Sequence, residues 1–159
     1  MIELKSASQL EIMAEAGEIV GEVLEVLRQA VRPGITTLAL DALAKETILR
    51  RGGRPAFKGY RGFPGHICTS VNEEVVHGIP SQRTLKSGDI VGLDVGVCLE
   101  GYYADAAITV AVDGVSHKAL DLIRVTEEAL SEGIRMARPP HRLSDISHAI
   151  QEMVESNGY

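Results

Sequence analysis

The sequence predicts an α/β fold: a glycine-rich, stranded centre flanked on each side by a pair of helices. Three observations carry this. Apolar residues recur at three- and four-residue steps at both ends of the 159-residue chain. Ten of the 16 glycines lie between Gly52 and Gly101, where apolar residues alternate instead. The helical pair at the end repeats the pair at the start.

Taken in order, Ile12, Ala16, Ile19, Val20, Val23, Leu24 and Leu27 form one apolar stripe, so the first stretch is a helix. Ser8 followed by Glu11 suits a capping box at its start, and Pro33-Gly34 stops it. Leu40, Leu43, Ala44 and Ile48 share a face of a second helix, capped by Thr36 or Thr37 and ended by Gly52-Gly53. Residues 67–71 read as a strand. Residues 89–99 and 102–112 read as a hairpin with Glu100-Gly101 near its turn. Helices return at 118–137 and 143–156.

An offset of 106 residues carries Arg32-Pro33 onto Arg138-Pro139, Leu40, Ala44 and Ile48 onto Ile146, Ile150 and Val154, and Gly52 onto Gly158. Any two helical hairpins look somewhat alike, but this register holds ungapped through two helices and their break. The expectation is therefore one partial domain over 1–159: a first repeat unit at 1–113 and the helical start of a second at 114–159. The stranded segment of that second unit has no counterpart before Tyr159.

Composition narrows the function classes. Hydrophobic residues are 45% and charged residues 24%, as in ordinary globular domains. A net charge of −6 argues against nucleic acid as the main partner. No apolar run nears the roughly 20 residues of a membrane helix, and the Met1–Lys5 start has no secretory pattern. Two cysteines, Cys68 and Cys98, build no disulfide framework and fit a reducing, cytoplasmic setting.

Chemistry is concentrated in the centre. In 90–97, Val91, Leu93, Val95 and Val97 share one face, and Gly92, Asp94 and Gly96 share the other. With a Leu99-Glu100 turn, Asp105 stands directly opposite Asp94 across the hairpin. Two such carboxylates repel when ionised, and a divalent cation removes that penalty; oxygen ligands suit Mn, Fe, Co, Zn or Mg. The blander account is a surface carboxylate and a turn residue spaced by accident. Against it, the apolar alternation makes Asp94 a buried position, and a buried carboxylate needs a partner. His77, between Val75-Val76 and Gly78-Ile79-Pro80, is placed to contact substrate, shuttle a proton or bind metal, or else to make one structural hydrogen bond. The run Phe57-Lys58-Gly59-Tyr60-Arg61-Gly62-Phe63-Pro64-Gly65, with Cys68 close by, walls an apolar pocket or plugs the core. His66, His117, His141 and His148 receive no role. There is no P-loop, zinc-like cysteine spacing or nucleophile elbow.

Phe57-Lys58-Gly59-Tyr60, Gly62-Phe63-Pro64, Cys68, Asn72-Glu73 and His77-Gly78-Ile79-Pro80, followed by 88–91, Asp94-Val95-Gly96 and Tyr103-Ala104-Asp105, together resemble type I methionine aminopeptidase of the bacterial kind. The resemblance covers essentially the whole chain. It implies the pita-bread fold (creatinase/aminopeptidase-like), of which this chain holds the N-terminal half and the two helices that open the second half. It implies two divalent metal ions (Co, Mn, Fe or Zn) at a dinuclear site that hydrolyses the bond after an initiator methionine. Asp94 and Asp105 match the first two metal ligands. His77 matches the histidine that contacts and orients substrate. Tyr60, Phe63 and Cys68 match the methionine side-chain pocket, with Phe57 where some relatives carry a small residue or cysteine. The implied partners are N-terminal methionyl peptides and nascent chains, with the ribosome where those chains emerge; composition carries no direct nucleic-acid or membrane signal.

The family's remaining ligands, a histidine in a His-Gly-x-Gly motif and two glutamates, belong to the second half, and no His-Gly pair follows Gly114. The metal site is therefore expected to be incomplete in this chain. Three readings follow: an aminopeptidase of which this is a part, inactive alone; a truncated, non-catalytic remnant that binds peptides or a partner protein; and association through the uncovered half, where unpaired sheet edges and apolar faces invite pairing.

Overall fold

The alternating run in the centre of the chain becomes a strand that organises everything around it. In the computed structural model, which describes residues 4–159, β3 (Ile90–Leu99) pairs antiparallel with three partners. One edge takes β4 (Tyr102–Ala111). The other takes β2 (Cys68–Val71) and the short β1 (Arg54–Pro55). Val91, Leu93, Val95 and Val97 are fully buried on one face of β3, as the alternation requires.

That face is covered by helices. α1 (Ala7–Ala30) lays Ala16, Ile19, Val20, Val23, Leu24 and Leu27 into the core, and α2 (Thr37–Arg50) adds Leu40, Ala44 and Ile48. The start of α1 differs from the Ser8/Glu11 expectation. Ser6 is the cap: its Oγ accepts from the Gln9 amide at 3.3 Å, and the Gln9 side chain accepts from the Ser6 amide at 2.8 Å. Thr36 caps α2 by accepting from the Ala39 amide. Gly52, at φ 78°, supplies the left-handed step after α2 that a Cβ would strain.

The chain divides into two compact units, Met1–Val115 and Ser116–Tyr159. In the second, α3 (His117–Met136) packs on α4 (Leu143–Ser156). Gly133 lets the two approach, because a Cβ there would lie 2.8 and 2.9 Å from Ile150 side-chain carbons. Both ends of α4 lie 106 residues beyond those of α2, and Gly158 repeats the positive φ of Gly52 at 81°. Met1, Ile2 and Glu3 lie outside the described residues, so the reading of the Met1–Lys5 start rests partly beyond them. Among the described residues no helix is long and apolar enough to cross a membrane.

Candidate functional site

The hairpin register corrects one expectation. The turn is Glu100-Gly101, with Leu99 paired to Tyr102, not Leu99-Glu100. Both turn residues have positive φ, 48° and 86°, the two-residue geometry that matches strand twist and favours glycine at its second position. Asp94 therefore faces Ala107, and Asp105 faces Gly96. The two carboxylates are diagonal neighbours, not a directly opposed pair. They still share a face, because two-residue steps along each strand return to the same side.

That face forms a floor across three strands. Cys68 on β2 pairs with Asp94 on β3, and Asp105 stands on β4 beside Gly96. The space above Gly96 is not empty. It holds the Phe57 ring, whose Cε1 any Cβ at position 96 would overlap, with Cζ and Cδ1 at 2.8 and 2.9 Å. Glycine here is what admits an aromatic wall beside the carboxylates.

Phe57, Tyr60, Phe63, Cys68, His77, Asp94 and Asp105 all line one cleft of about 610 Å³. They come from five separate stretches of chain. Arg61, Gly62 and Pro64, part of the run read from sequence as a pocket wall or core plug, and Ile79 complete the lining. The aromatic wall is a tight turn, 57–63, closed by Tyr60 N–H to the Phe57 carbonyl and Gly59 N–H to the Phe63 carbonyl, each 2.9 Å. The Lys58 ammonium also donates to the Pro64 carbonyl.

His77 arrives on a loop rather than at a strand end. Asn72, at φ 57°, breaks β2 and bridges to the start of β3 through Asp89 (2.9 Å) and the Ile90 amide (3.0 Å). The loop then folds back on β2. The Gly78 carbonyl accepts from the Thr69 amide at 2.8 Å, and a Cβ at Gly78 would sit 2.7 Å from the Thr69 carbonyl carbon. This return holds exposed His77 in the left-handed region at φ 59°.

Electrostatics link the same groups. Burial first, and the Asp105 charge second, raise the Asp94 carboxyl above its usual range, while His77 pulls it down. The Cys68 thiol is pushed up to about 11, by burial and then by Asp94. Two carboxylates of which one is half-buried and destabilised by the other are a donor set suited to a hard divalent cation. Among the described residues no group of three or more His, Cys, Asp and Glu could hold a metal ion.

His66, given no role from sequence, has one. Its Nδ1 lies 2.6 Å from an oxygen of the buried Asp41 carboxylate, which also accepts from the backbone amides of His66 (2.6 Å) and Ile67 (3.1 Å). Asp41 thus ties α2 to the entry of β2. The signal available in sequence was an aspartate beside Leu40 on the apolar face of a helix.

Residues 11–159 match the model of metallopeptidase family M24. The chain belongs to that family. It is 50% identical to a methionine aminopeptidase of Clostridium perfringens across its whole length, which is 64% of that relative. It superposes on the crystal structure of methionine aminopeptidase from Rickettsia prowazekii with a TM-score of 0.97 at 40% identity, covering 100% of this chain and 64% of the other. For the Thermotoga maritima enzyme the TM-score is 0.96 at 44% identity, covering 99% and 64%. This M24 chain has the pita-bread α/β fold expected from its motifs, and it spans about 64% of the length of the relatives it matches.

Proposed function

We propose that this chain supplies the carboxylate floor and the side-chain pocket of an enzyme that removes the N-terminal methionine from peptides and nascent proteins by metal-dependent hydrolysis. The observation that carries this is the convergence of Phe57, Tyr60, Phe63, Cys68 and His77 on one cleft whose floor holds Asp94 and Asp105. The family and its methionine aminopeptidase relatives support the same reading.

Asp94 and Asp105 hold the divalent metal, two ions in the full arrangement, with further ligands completing the shell. When bound, such ions supply charge neutralisation and Lewis-acid chemistry for peptide hydrolysis. Phe57, Tyr60 and Phe63 enclose the methionine side chain; contacts between a thioether and an aromatic ring contribute about 0.3–1.5 kcal/mol each. Cys68, whose thiol burial pushes up to about 11, packs as a small apolar wall and not as a nucleophile. His77 donates an imidazole N–H to the substrate backbone and so fixes the bond to be cut over the carboxylates. Two free cysteines fit work in the reducing cytoplasm, where nascent chains are the substrate and the ribosome is the neighbour.

Titrating the chain with Mn(II), followed by electron paramagnetic resonance, tests the floor. Asp94→Ala and Asp105→Ala should each weaken binding at least tenfold. Titrating a Met-Ala-Ser peptide against its Leu-Ala-Ser analogue by NMR tests the pocket: shifts at Tyr60 and Phe63 should be stronger with methionine. Unchanged metal affinity in both variants would overturn the proposal.

A further inference from the structure

Arg61 lines the cleft, and its charge is not needed by anything the proposed reaction uses. It sits at the tip of the 57–63 turn with φ 47° and ψ 32°, between Gly59 and Gly62, both at φ 83°. The turn is closed on itself by backbone hydrogen bonds, including Gly62 N–H to the Gly59 carbonyl at 3.2 Å and Phe63 N–H to the Tyr60 carbonyl at 2.9 Å. The guanidinium lies over the Tyr60 ring, 5.5 Å from its centroid. Among the described residues, no carboxylate forms an ion pair with it, as is also true of Arg32, Arg50, Arg54, Arg138 and Arg142, but of these only Arg61 lines the cleft. An always-charged, planar donor resting against an aromatic ring at the cleft mouth is available to an oxyanion.

We infer that Arg61 is a specificity-determining residue that binds a carboxylate of the bound peptide, on the residues that follow its N-terminal methionine. Its neighbours Tyr60 and Phe63 hold the methionine side chain in the function proposed above, on which this inference rests. The same turn then carries the pocket for the first residue and a cation for a later one. With Asp94 and Asp105 occupied by metal, Arg61 is the fixed positive charge among the side chains of the lining. A peptide with an acidic residue beyond its methionine therefore gains one charge-assisted pair, and a basic one meets repulsion. A side-chain carboxylate and the C-terminal carboxylate of a short peptide are the two sources of this chemistry.

The test measures dissociation constants for the Mn(II)-loaded chain with amidated Met-Ala-Asp-Ser, Met-Ala-Lys-Ser and Leu-Ala-Asp-Ser, and with Met-Ala as free acid and amide. Wild type should prefer the Asp peptide over the Lys peptide by about three- to tenfold, less so at 0.5 M salt. Arg61→Gln should erase the preference, Arg61→Glu should invert it, and Arg61→Lys should keep part of it. A preference confined to the Met-Ala free acid assigns the site to the C-terminus and supports the inference for that source. No charge preference in wild type, or one that survives Arg61→Gln, overturns it. Equal binding of the Met and Leu peptides overturns the methionine reading instead, and no binding of any peptide overturns both.

Discussion

Replacing Gly96 by alanine tests the construction of the cleft directly. The added Cβ would overlap Phe57 Cε1 most closely and lie 2.8–2.9 Å from two further ring carbons, where carbon atoms at rest sit about 3.5–4.0 Å apart. The ring or the strand must give by about an ångström or more, and overpacking of this kind costs about 1–3 kcal/mol. For a chain of 159 residues this lowers the melting temperature by about 2–12 °C. The cost should depend on Phe57. In a Phe57→Ala background the clash partner is gone, and Gly96→Ala should be neutral or stabilising by up to about 1 kcal/mol, because a strand glycine is entropically costly. Urea denaturation of the wild type, both single variants and the double variant completes a thermodynamic cycle. The coupling energy should be about 1–3 kcal/mol. Equal cost in both backgrounds would refute the claim that glycine is at 96 to seat the aromatic wall.

Asp41→Ala strands the His66 and Ile67 amides at the entry of β2 and should cost about 2–4 kcal/mol by urea denaturation; a loss under 0.5 kcal/mol would show the tie to be incidental. Asp94→Asn should stabilise the metal-free protein at pH 7. A carboxyl whose folded pKa is raised holds its proton more tightly when folded, so ionisation costs stability as pH rises through the unfolded and then the folded value. The advantage of the variant should vanish at pH below the ordinary carboxylate range, which melting curves from pH 3 to 8 would reveal. Cys68, with a pKa near 11, should react with iodoacetamide about a hundredfold more slowly at pH 7.5 than in the unfolded chain, where its ordinary value is 9.0; mass spectrometry of the alkylated peptide reads this.

The periodic parts of the chain were legible in its sequence. The stripe from Ile12 to Leu27 and the alternation from Val91 to Val97 each have a single geometry that buries them, and both are buried as read. The hairpin was found with Glu100-Gly101 near its turn, but the direct Asp94–Asp105 pairing, drawn on a Leu99-Glu100 turn, was off by two residues, because alternation is the same for either turn. The preference of Gly101 for positive φ decides between them. From periodicity and spacing the seven site residues were legible only as separate motifs, and it was the resemblance that joined them into one site. Their convergence depends on Asn72 and Gly78 folding a loop back onto β2, which is a tertiary event with no local period. The Asp41–His66 tie was missed for the same reason: its partners are 25 residues apart and belong to different elements.

Strand β3 is bordered on one edge by two short strands that are not contiguous. Pro55 pairs with Val97 and Cys68 with Asp94, so the chain leaves this edge and rejoins it three positions away. Everything between, the whole aromatic wall with Arg61, is a closed excursion anchored at both feet beside the carboxylates. Between those feet it is tied again by Phe57 against Gly96 and by His66 to Asp41, while doubling the length of a loop adds only about 0.6 kcal/mol of closure entropy. The acidic floor is fixed by strand register, and the aromatic wall by this excursion and its few ties, so the two sides of the cleft are specified by different parts of the sequence.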